Sequence, residues 1–331
     1  GGGLQRVSRA GHLSGLSDLP RQGLNVEAKP YGLLGRVQKQ NSSDVLNSSV
    51  DRAVGVDLKS EIAPGLLLDL TFNTDFAQVE VDDAQVNLTR FNLFFPEKRD
   101  FFLENSGIFA FGNPGNPLEP PAYQMFFSRQ IGLSENGSVP IVGGARLTGR
   151  VGSQTVGFMS VMTDAVPESS EFESVDRELF SVARIKRDVG ETNYIGAMVV
   201  DRRGNEATNT VAGIDGQFVV GQAWVWDASV TRSFTEGVGG DGVAYHVGYR
   251  YGGDRWRSFL NHYAVGAESE ASAGFITRKD YRSTELYNGY TWRPSALGLR
   301  EVGLFVGGKY ASTMTGNRMQ DWQIGFLTTP T

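Results

Sequence analysis

Apolar and polar residues alternate with period two along segment after segment of this chain. In AVGVDLKSEI, Val54, Val56, Leu58 and Ile62 alternate with Gly55, Asp57, Lys59 and Glu61. The turn APG follows at residues 63–65. LLLDLTFNTDF then sets Leu66, Leu68, Leu70, Phe72, Thr74 and Phe76 against Leu67, Asp69, Thr71, Asn73 and Asp75. Successive side chains of an extended chain point to opposite faces, so both segments read as strands with one apolar and one polar face, joined as a hairpin. The pattern continues from VPIVGGARLTGRV at residue 139 to DWQIGFLTT at residue 321, with AGFITRKDYRS and ELYNGYTWRP as two of the later strands. Turn signals such as RDVGET, RRGNEATN and TEGVGGDG lie between them. The count comes to about sixteen antiparallel segments, and no amphipathic helix exceeds two turns.

The faces narrow the class. In QAWVWDASVTRSF, Trp224, Trp226, Ala228, Val230 and Phe234 share one side, while Asp227, Ser229, Thr231 and Ser233 share the other. In VAYHVGYRYGG, Val243, Tyr245, Val247, Tyr249 and Tyr251 oppose Ala244, His246, Gly248 and Arg250. A strand of ~10 residues tilted by ~40° spans roughly 25 Å, the height of the apolar band of an outer-membrane barrel. The second face is too polar for the dry centre of a sandwich and suits a wet lumen. Alternation alone does not separate a membrane barrel from a soluble sandwich, a propeller or a pair of jelly rolls, whose solvent faces are also polar. A propeller would show a repeat of ~40–50 residues, and none is seen.

Composition removes several functions. The 331 residues carry a formal charge of -6 and no basic run, which argues against nucleic acid as a partner. Without cysteine there is no thiolate chemistry, zinc-thiolate site or disulfide. The 42 glycines and 11% aromatic residues suit many strands with turns between them. His12, His246 and His262 form no metal-binding spacing, and there is no G-x-S-x-G elbow. GVGGDG (237–242) lacks the lysine and helix of a phosphate cradle and reads as a hairpin loop.

One stretch fits neither a core helix nor a core strand. LTRFNLFFPEKRDFFLEN gathers Phe91, Phe94, Phe95, Phe101 and Phe102 around Pro96, Glu97, Lys98, Arg99 and Asp100. Proline breaks a helix interior, and a core strand would not hold four consecutive charges. Nearby, Asp75, Glu80, Asp82 and Asp83 form the densest acidic cluster. Their oxygens could hold a calcium ion, although the spacing is not that of a helix-loop-helix calcium loop. The competing reading is a solvated or arginine-paired lumen wall. No metal or other cofactor is otherwise expected, and no carboxylate pair is singled out for catalysis.

The run LLLDLTFNTDFAQVEVDDAQVNLTRFNLFFPEKRDFFLENSGIFAFG, with MFFSRQIGL and VPIVGGARLTGRVGSQTVGFMSVMT after it, closely resembles a bacterial outer-membrane β-barrel family of unknown function (the domain of unknown function 5916 type). Members of that family usually carry the barrel behind an N-terminal family 9 carbohydrate-binding module. Weaker similarity continues through GIDGQF and AGFITRKDYRSTELYNGYTWRP. The resemblance implies an all-β, antiparallel transmembrane barrel spanning 1–331 as a single domain, and a bacterial outer-membrane location with the lipid bilayer as partner. The sugar-binding module is absent from this sequence, and GFLTTPT lacks a terminal aromatic residue, so the expectation is a fragment with C-terminal strands missing.

Within such a barrel, residues 84–125 are expected to fold inward or to cap the periplasmic end as a plug. Phe91, Phe94, Phe95, Phe101 and Phe102 would anchor it on the wall. Glu97, Lys98, Arg99 and Glu104 would pair with lumen charges such as Asp69, Asp75, Arg129, Arg146 and Arg150, the last three placed on strands or strand ends. Charged residues avoid the lipid face, where a midplane arginine costs roughly 2–4 kcal/mol, so these arginines point inward as plug anchors or as a charge filter. The expected function is passive passage or surface handling of small solutes, glycans among them. The rivals are a glycan-degrading hydrolase and a sealed barrel that serves interaction or assembly. Substrate, gating and oligomeric state are not legible.

Overall fold

A computed structural model describes residues 26–40, 46–73, 95–112, 122–134, 137–168, 174–205, 208–221, 223–237, 242–294 and 299–330. Strands β1 (Val26–Gln40), β2 (Leu46–Ala63) and β3 (Leu66–Phe72) open the fold. An inner segment follows, with one helical turn α1 (Asp100–Leu103), a 3-10 turn at Ser106–Phe109, β4 (Tyr123–Gln124) and a second 3-10 turn at Ser128–Gln130. It ends in the small ribbon β5 (Leu133–Ser134) and β6 (Gly137–Ser138). The main strands resume as β7 (Ile141–Val151), β8 (Gln154–Thr163), β9 (Leu179–Val189), β10 (Asn193–Arg203), β11 (Thr208–Val220), β12 (Trp224–Thr235), β13 (Gly242–Gly252) and β14 (Trp256–Val265). After the short β15 (Phe275–Ile276) come β16 (Tyr281–Trp292), β17 (Val302–Ser312) and β18 (Met319–Pro330).

Fourteen of these form one antiparallel sheet in the order β1-β2-β3-β7-β8-β9-β10-β11-β12-β13-β14-β16-β17-β18, each paired with the next main strand along the chain. The hairpin about residues 63–65 is present, with Gly65 at φ 76° supplying the left-handed backbone its turn demands. β1 is a strand that alternation did not indicate, because Pro30, Gly32 and Gly35 dilute its pattern. The segment AGFITRKDYRS does not form a wall strand. Its Phe275–Ile276 pairs instead with Tyr123–Gln124, and the main strand begins at Tyr281 and runs through ELYNGYTW.

The sheet is apolar on its outer face. Trp224, Trp226, Val230 and Phe234 of β12 point outward, as do Val243 and Val247 of β13, and Ile214 of β11 is 59% exposed. The opposite face carries the buried polar groups, among them Asp69, Arg146, Arg184, Asp215, Asp227 and His246. A soluble protein buries apolar groups and exposes charge; here the wall does the reverse, as lipid requires. The interior is not uniformly polar, however. Phe102, Phe109, Met125, Phe126 and Ile131 of the inner segment pack on inward Met159, Val161, Phe180, Val182, Met198, Val200 and Val211. A wet lumen across that whole face is therefore corrected to an apolar core at one end.

The two ends of the sheet differ. The connections β2–β3, β7–β8, β9–β10, β11–β12 and β13–β14 are tight, whereas the opposite end holds the long excursions from β3 to β7 and from β14 to β16. The inner segment leaves and rejoins the wall at this long-connection end. Stacked Trp224 and Trp226, ring centroids 5.9 Å apart, lie with Tyr249 and Tyr251 at the tight-turn end of the outer face. Trp256 and Tyr290 continue this group at 5.1 Å. Aromatic girdles of this kind sit at a membrane interface.

Candidate functional site: the interior of the wall

The inner segment is held by arginines at three levels. The first knot is internal to it. Arg99 is buried and its guanidinium grips Glu97 through two hydrogen bonds of 2.7 Å, donating also to the carbonyls of Ile131 (2.6 Å) and Ser128 (2.7 Å). The Ser128 hydroxyl donates to the same carboxylate at 2.6 Å, and the Arg99 guanidinium lies 4.2 Å over the Phe102 ring. Burial pushes the Glu97 carboxyl up, but the hydrogen bonds and charge of Arg99, with Ser128, outweigh it and hold the group below its ordinary value of 4.5. These two charges are thus paired with each other. The Pro96 carbonyl accepts from Arg129 at 3.0 Å, with Phe95 5.5 Å from that guanidinium. Arg129 lies in a 3-10 turn of the inner segment, not on a wall strand. Lys98 and Asp100 are exposed.

The second knot joins segment to wall. Arg146 on β7 is directly opposite Asp69 on β3 and donates to its carboxylate at 2.9 and 3.1 Å. The same guanidinium donates to the carbonyls of Phe101 and Glu104, and meets the Glu104 carboxylate at 3.3 Å. Glu104 also pairs with Lys59 of β2. The Lys59 ammonium, ahead of an opposing burial effect, holds the Glu104 carboxyl below 4.5. Phe101 lies 5.1 Å under the Arg146 guanidinium, and its ring meets Phe102 edge-on at 5.1 Å. Arg150 takes no part: it is exposed and pairs with Asp188 at the tight-turn end.

The third knot involves residues that sequence reasoning did not single out. Arg184 on β9 and Asp215 on β11 form a fully buried two-point ion pair at 2.6 and 2.8 Å across the intervening β10. Asp215 also accepts the Gly112 amide at 2.9 Å, and Phe111 lies 5.4 Å from the guanidinium. A partial signal was available at Asp215, the one charge on its face of β11, whereas Arg184 shares its face of β9 with Lys186 and Asp188. Two steps away, Asp227 and His246 approach to 3.2 Å, and His246 stacks on Tyr263 at 4.3 Å. Sequence reasoning left His246 as a lumen or interface residue without a role. His262, on the other face of β14, is hydrogen-bonded to Thr284 at 2.8 Å.

The excursion between β14 and β16 docks on the same body. Phe127 donates its amide to Ala273 at 2.9 Å, and Phe127 and Phe275 meet edge-on at 5.8 Å. Arg202 ties it to the wall, pairing with Glu178 at 2.6 Å and donating to the Ser272 carbonyl at 3.3 Å. Tyr123, beside Thr231, has its phenol pushed up to about 12 by burial. Phe126 and Ile131, past the expected boundary at 125, also pack against the inward face. Asp75, Glu80, Asp82, Asp83, Phe91 and Phe94 lie outside the described residues, so the acidic cluster and its calcium reading do as well. Among the described residues, no group of three or more acidic or histidine side chains is placed to hold a metal.

An antiparallel wall with charge turned in, apolar side chains turned out and an inward-folded segment between two strands is a transmembrane β-barrel architecture. Within it, residues 29–143 match the family described as Domain of unknown function (DUF5916), in agreement with the resemblance carried by the FFPEKRDFFLE and FFSRQIG motifs. No curated protein matches the chain. Among solved structures, it is similar to Pseudomonas aeruginosa OpdO, at 12% identity over 92% of this chain and 74% of that one, TM-score 0.43. It is also similar to P. aeruginosa OccK8 (OprE), at 11% identity over 93% and 89%, TM-score 0.40. A third likeness is to Acinetobacter baumannii OccAB2, at 9% identity over 87% and 70%, TM-score 0.37.

Proposed function

We propose that this chain is the wall and constriction of a bacterial outer-membrane channel that lets small solutes through passively. The observation that carries the reading is the inversion of polarity, with Arg146, Arg184 and Asp215 buried on the inward face and residues such as Ile214 and Val230 exposed on the outer one. Such an arrangement is costly in water and favourable in a bilayer. Residues 95–112 and 122–134 act as the constriction, latched to the wall at Arg146 and Arg184. Short turns mark the periplasmic end of such barrels and long connections the outer end. On that rule the constriction enters from outside the cell, not from the periplasmic cap. The inward faces of β16, β17 and β18 lie beyond the apolar core, and solute would pass between them and the inner segment. Glycans are one solute class to test.

A sealed barrel that serves assembly is the second reading, favoured by the apolar packing that fills the long-connection end of the interior. Expression of the full-length gene with its own leader separates the readings. Outer-membrane extracts run on a gel with and without boiling should show a heat-dependent shift, and the purified protein should give discrete conductance steps in planar bilayers. Soluble protein without a shift would sink the barrel, and a shifted protein without current would favour the sealed form.

A further inference from the structure

The outer face of the wall is not apolar throughout. Val230, six residues beyond the girdle residue Trp224 on β12, is exposed as lipid requires. The matching place on β14, six residues beyond Trp256, holds His262. At a rise of ~3.3 Å and a tilt of ~40°, that stretch climbs ~15 Å, near the middle of a ~25 Å apolar band. His262 is directly opposite outward Val247 on one side and Thr284 on the other, so all three share the outer face. Its Nδ1 is hydrogen-bonded to the Thr284 hydroxyl, which leaves Nε2 without a hydrogen bond among the described residues.

A second polar pair lies closer to the girdle. Ser258 of β14 is directly opposite Asn288 of β16, and Asn288 is directly opposite Val306 of β17, itself 43% exposed. The Ser258 hydroxyl is bonded to that of Tyr249 at 3.1 Å, whereas the Asn288 carboxamide has no hydrogen bond among the described residues. Water would satisfy these groups on a soluble surface; hydrocarbon cannot. Beside them the wall is hollow: Trp256, Tyr290, Leu304, Val306 and Phe326 border, with Asn288, a cavity of about 320 Å³.

We infer that this strip is where a second copy of the chain packs in the membrane, about a two-fold axis along the bilayer normal. Rotation about such an axis sets β14 of one copy against β16 of the other. Ser258 then meets Asn288, His262 meets Thr284, and each contact is made twice. All four side chains can both donate and accept, so the strip completes itself without a foreign partner. From the Trp256–Tyr290 row to the His262–Thr284 row it carries no formal charge to repel its own image. Exposed Trp256 is placed to enter the hollow of the opposite copy. Lipid, the competing occupant, offers no hydrogen bond. Four strands at ~4.8 Å and ~20 Å of height give roughly 400 Å² per copy and ~800 Å² per pair. That is small, so the contact depends on the bilayer holding both copies in one orientation. It needs the barrel, but not the channel.

The test is cross-linking in outer-membrane fractions from cells that express the full-length gene. These 331 residues hold no cysteine, so an introduced one reports a single place. Ser258→Cys bridged by a short bis-maleimide should give at least tenfold more product at twice the protein's mass than Ile214→Cys, exposed on β11. Adding Asn288→Leu and His262→Leu should cut that product tenfold and keep the heat-shifted migration, because both changes make the outer face more apolar. Asn288→Cys, with His262→Leu as its second change, serves if Ser258→Cys loses the heat shift. Product no more abundant than from Ile214→Cys leaves lipid as the occupant and overturns the pairing. An adduct of any other mass assigns the strip to a different protein and overturns it too, as does a product that the leucines do not diminish. A cross-linked pair without bilayer current would uphold the contact and sink passive passage; current without the cross-link would do the reverse.

Discussion

Arg146→Met tests whether the inner segment is latched by charge. In the structure this guanidinium serves the Asp69 carboxylate, the Glu104 carboxylate and the carbonyls of Phe101 and Glu104. Methionine fills much of the volume but leaves Asp69, 6% exposed, without its partner. Removing one member of a buried pair costs about 3–5 kcal/mol. At 1.4 kcal/mol per decade, that raises the undocked population roughly a hundred- to several-thousand-fold. Trypsin reports it, because exposed Lys98 lies within the segment that would be released. If docking is fast relative to cleavage, the cutting rate follows the open population. Arg146→Met/Asp69→Leu removes both charges and should recover most of the protection, since a buried pair is often replaced by apolar groups without loss. A single variant cut no faster than wild type refutes the latch. A double variant cut as fast as the single one refutes the electrostatic account of it.

Three further outcomes follow from the same geometry. Val230→Arg on the outer face should cost roughly 2–4 kcal/mol in a bilayer and reduce the heat-shifted fraction, whereas on a soluble protein this 42%-exposed site would tolerate arginine. Gly213→Val should expel Phe111, whose Cζ lies 2.7 Å from the position a Cβ would take, and the loss of docking should appear as faster trypsin cutting. The carboxyls of Glu97 and Glu104 are both held below 4.5 in the folded protein, so their stabilisation is complete above that value and is lost as pH falls through the depressed folded values. Acid titration of protease protection should therefore show release of the segment only below the ordinary glutamate value of 4.5, and none between pH 5 and 8.

Wall faces were legible because the period of an extended chain is fixed by covalent geometry. Trp224, Trp226, Val230 and Phe234 could go to one side, and Asp227, Ser229 and Thr231 to the other, without knowing any neighbour. Cross-strand partnership was not legible, because register depends on every intervening turn. Arg184 and Asp215 are 31 residues apart and separated by a strand, and nothing local announces that they meet. Arg146 could be assigned to the interior on the cost of charge in lipid, but its pairing with Asp69 needed the β3–β7 ladder. Glu97 and Arg99 were sent to distant charges when their nearest partners were each other, two residues apart. At Phe275–Ile276, apolar alternation suggested a wall strand; those side chains serve the inner body instead, a choice made by tertiary packing rather than by pattern.

The excursion between β3 and β7 also dictates an order of assembly. From β7 to β14 each strand meets its neighbour through a local hairpin, and such pairings close quickly, whereas Phe72 must find Gly143 across the whole inner segment. The late strands can zip first and offer their inner faces as a mould. The phenylalanine-rich stretch can then condense onto that mould before β1–β3 are laid alongside. The Arg146–Asp69 contact would form last, as the clasp that completes the seam. Mutations there should slow insertion of the finished barrel while leaving the early β-structure signal intact, so Arg146, the most buried arginine among the described residues, would be a kinetic checkpoint as well as a tether.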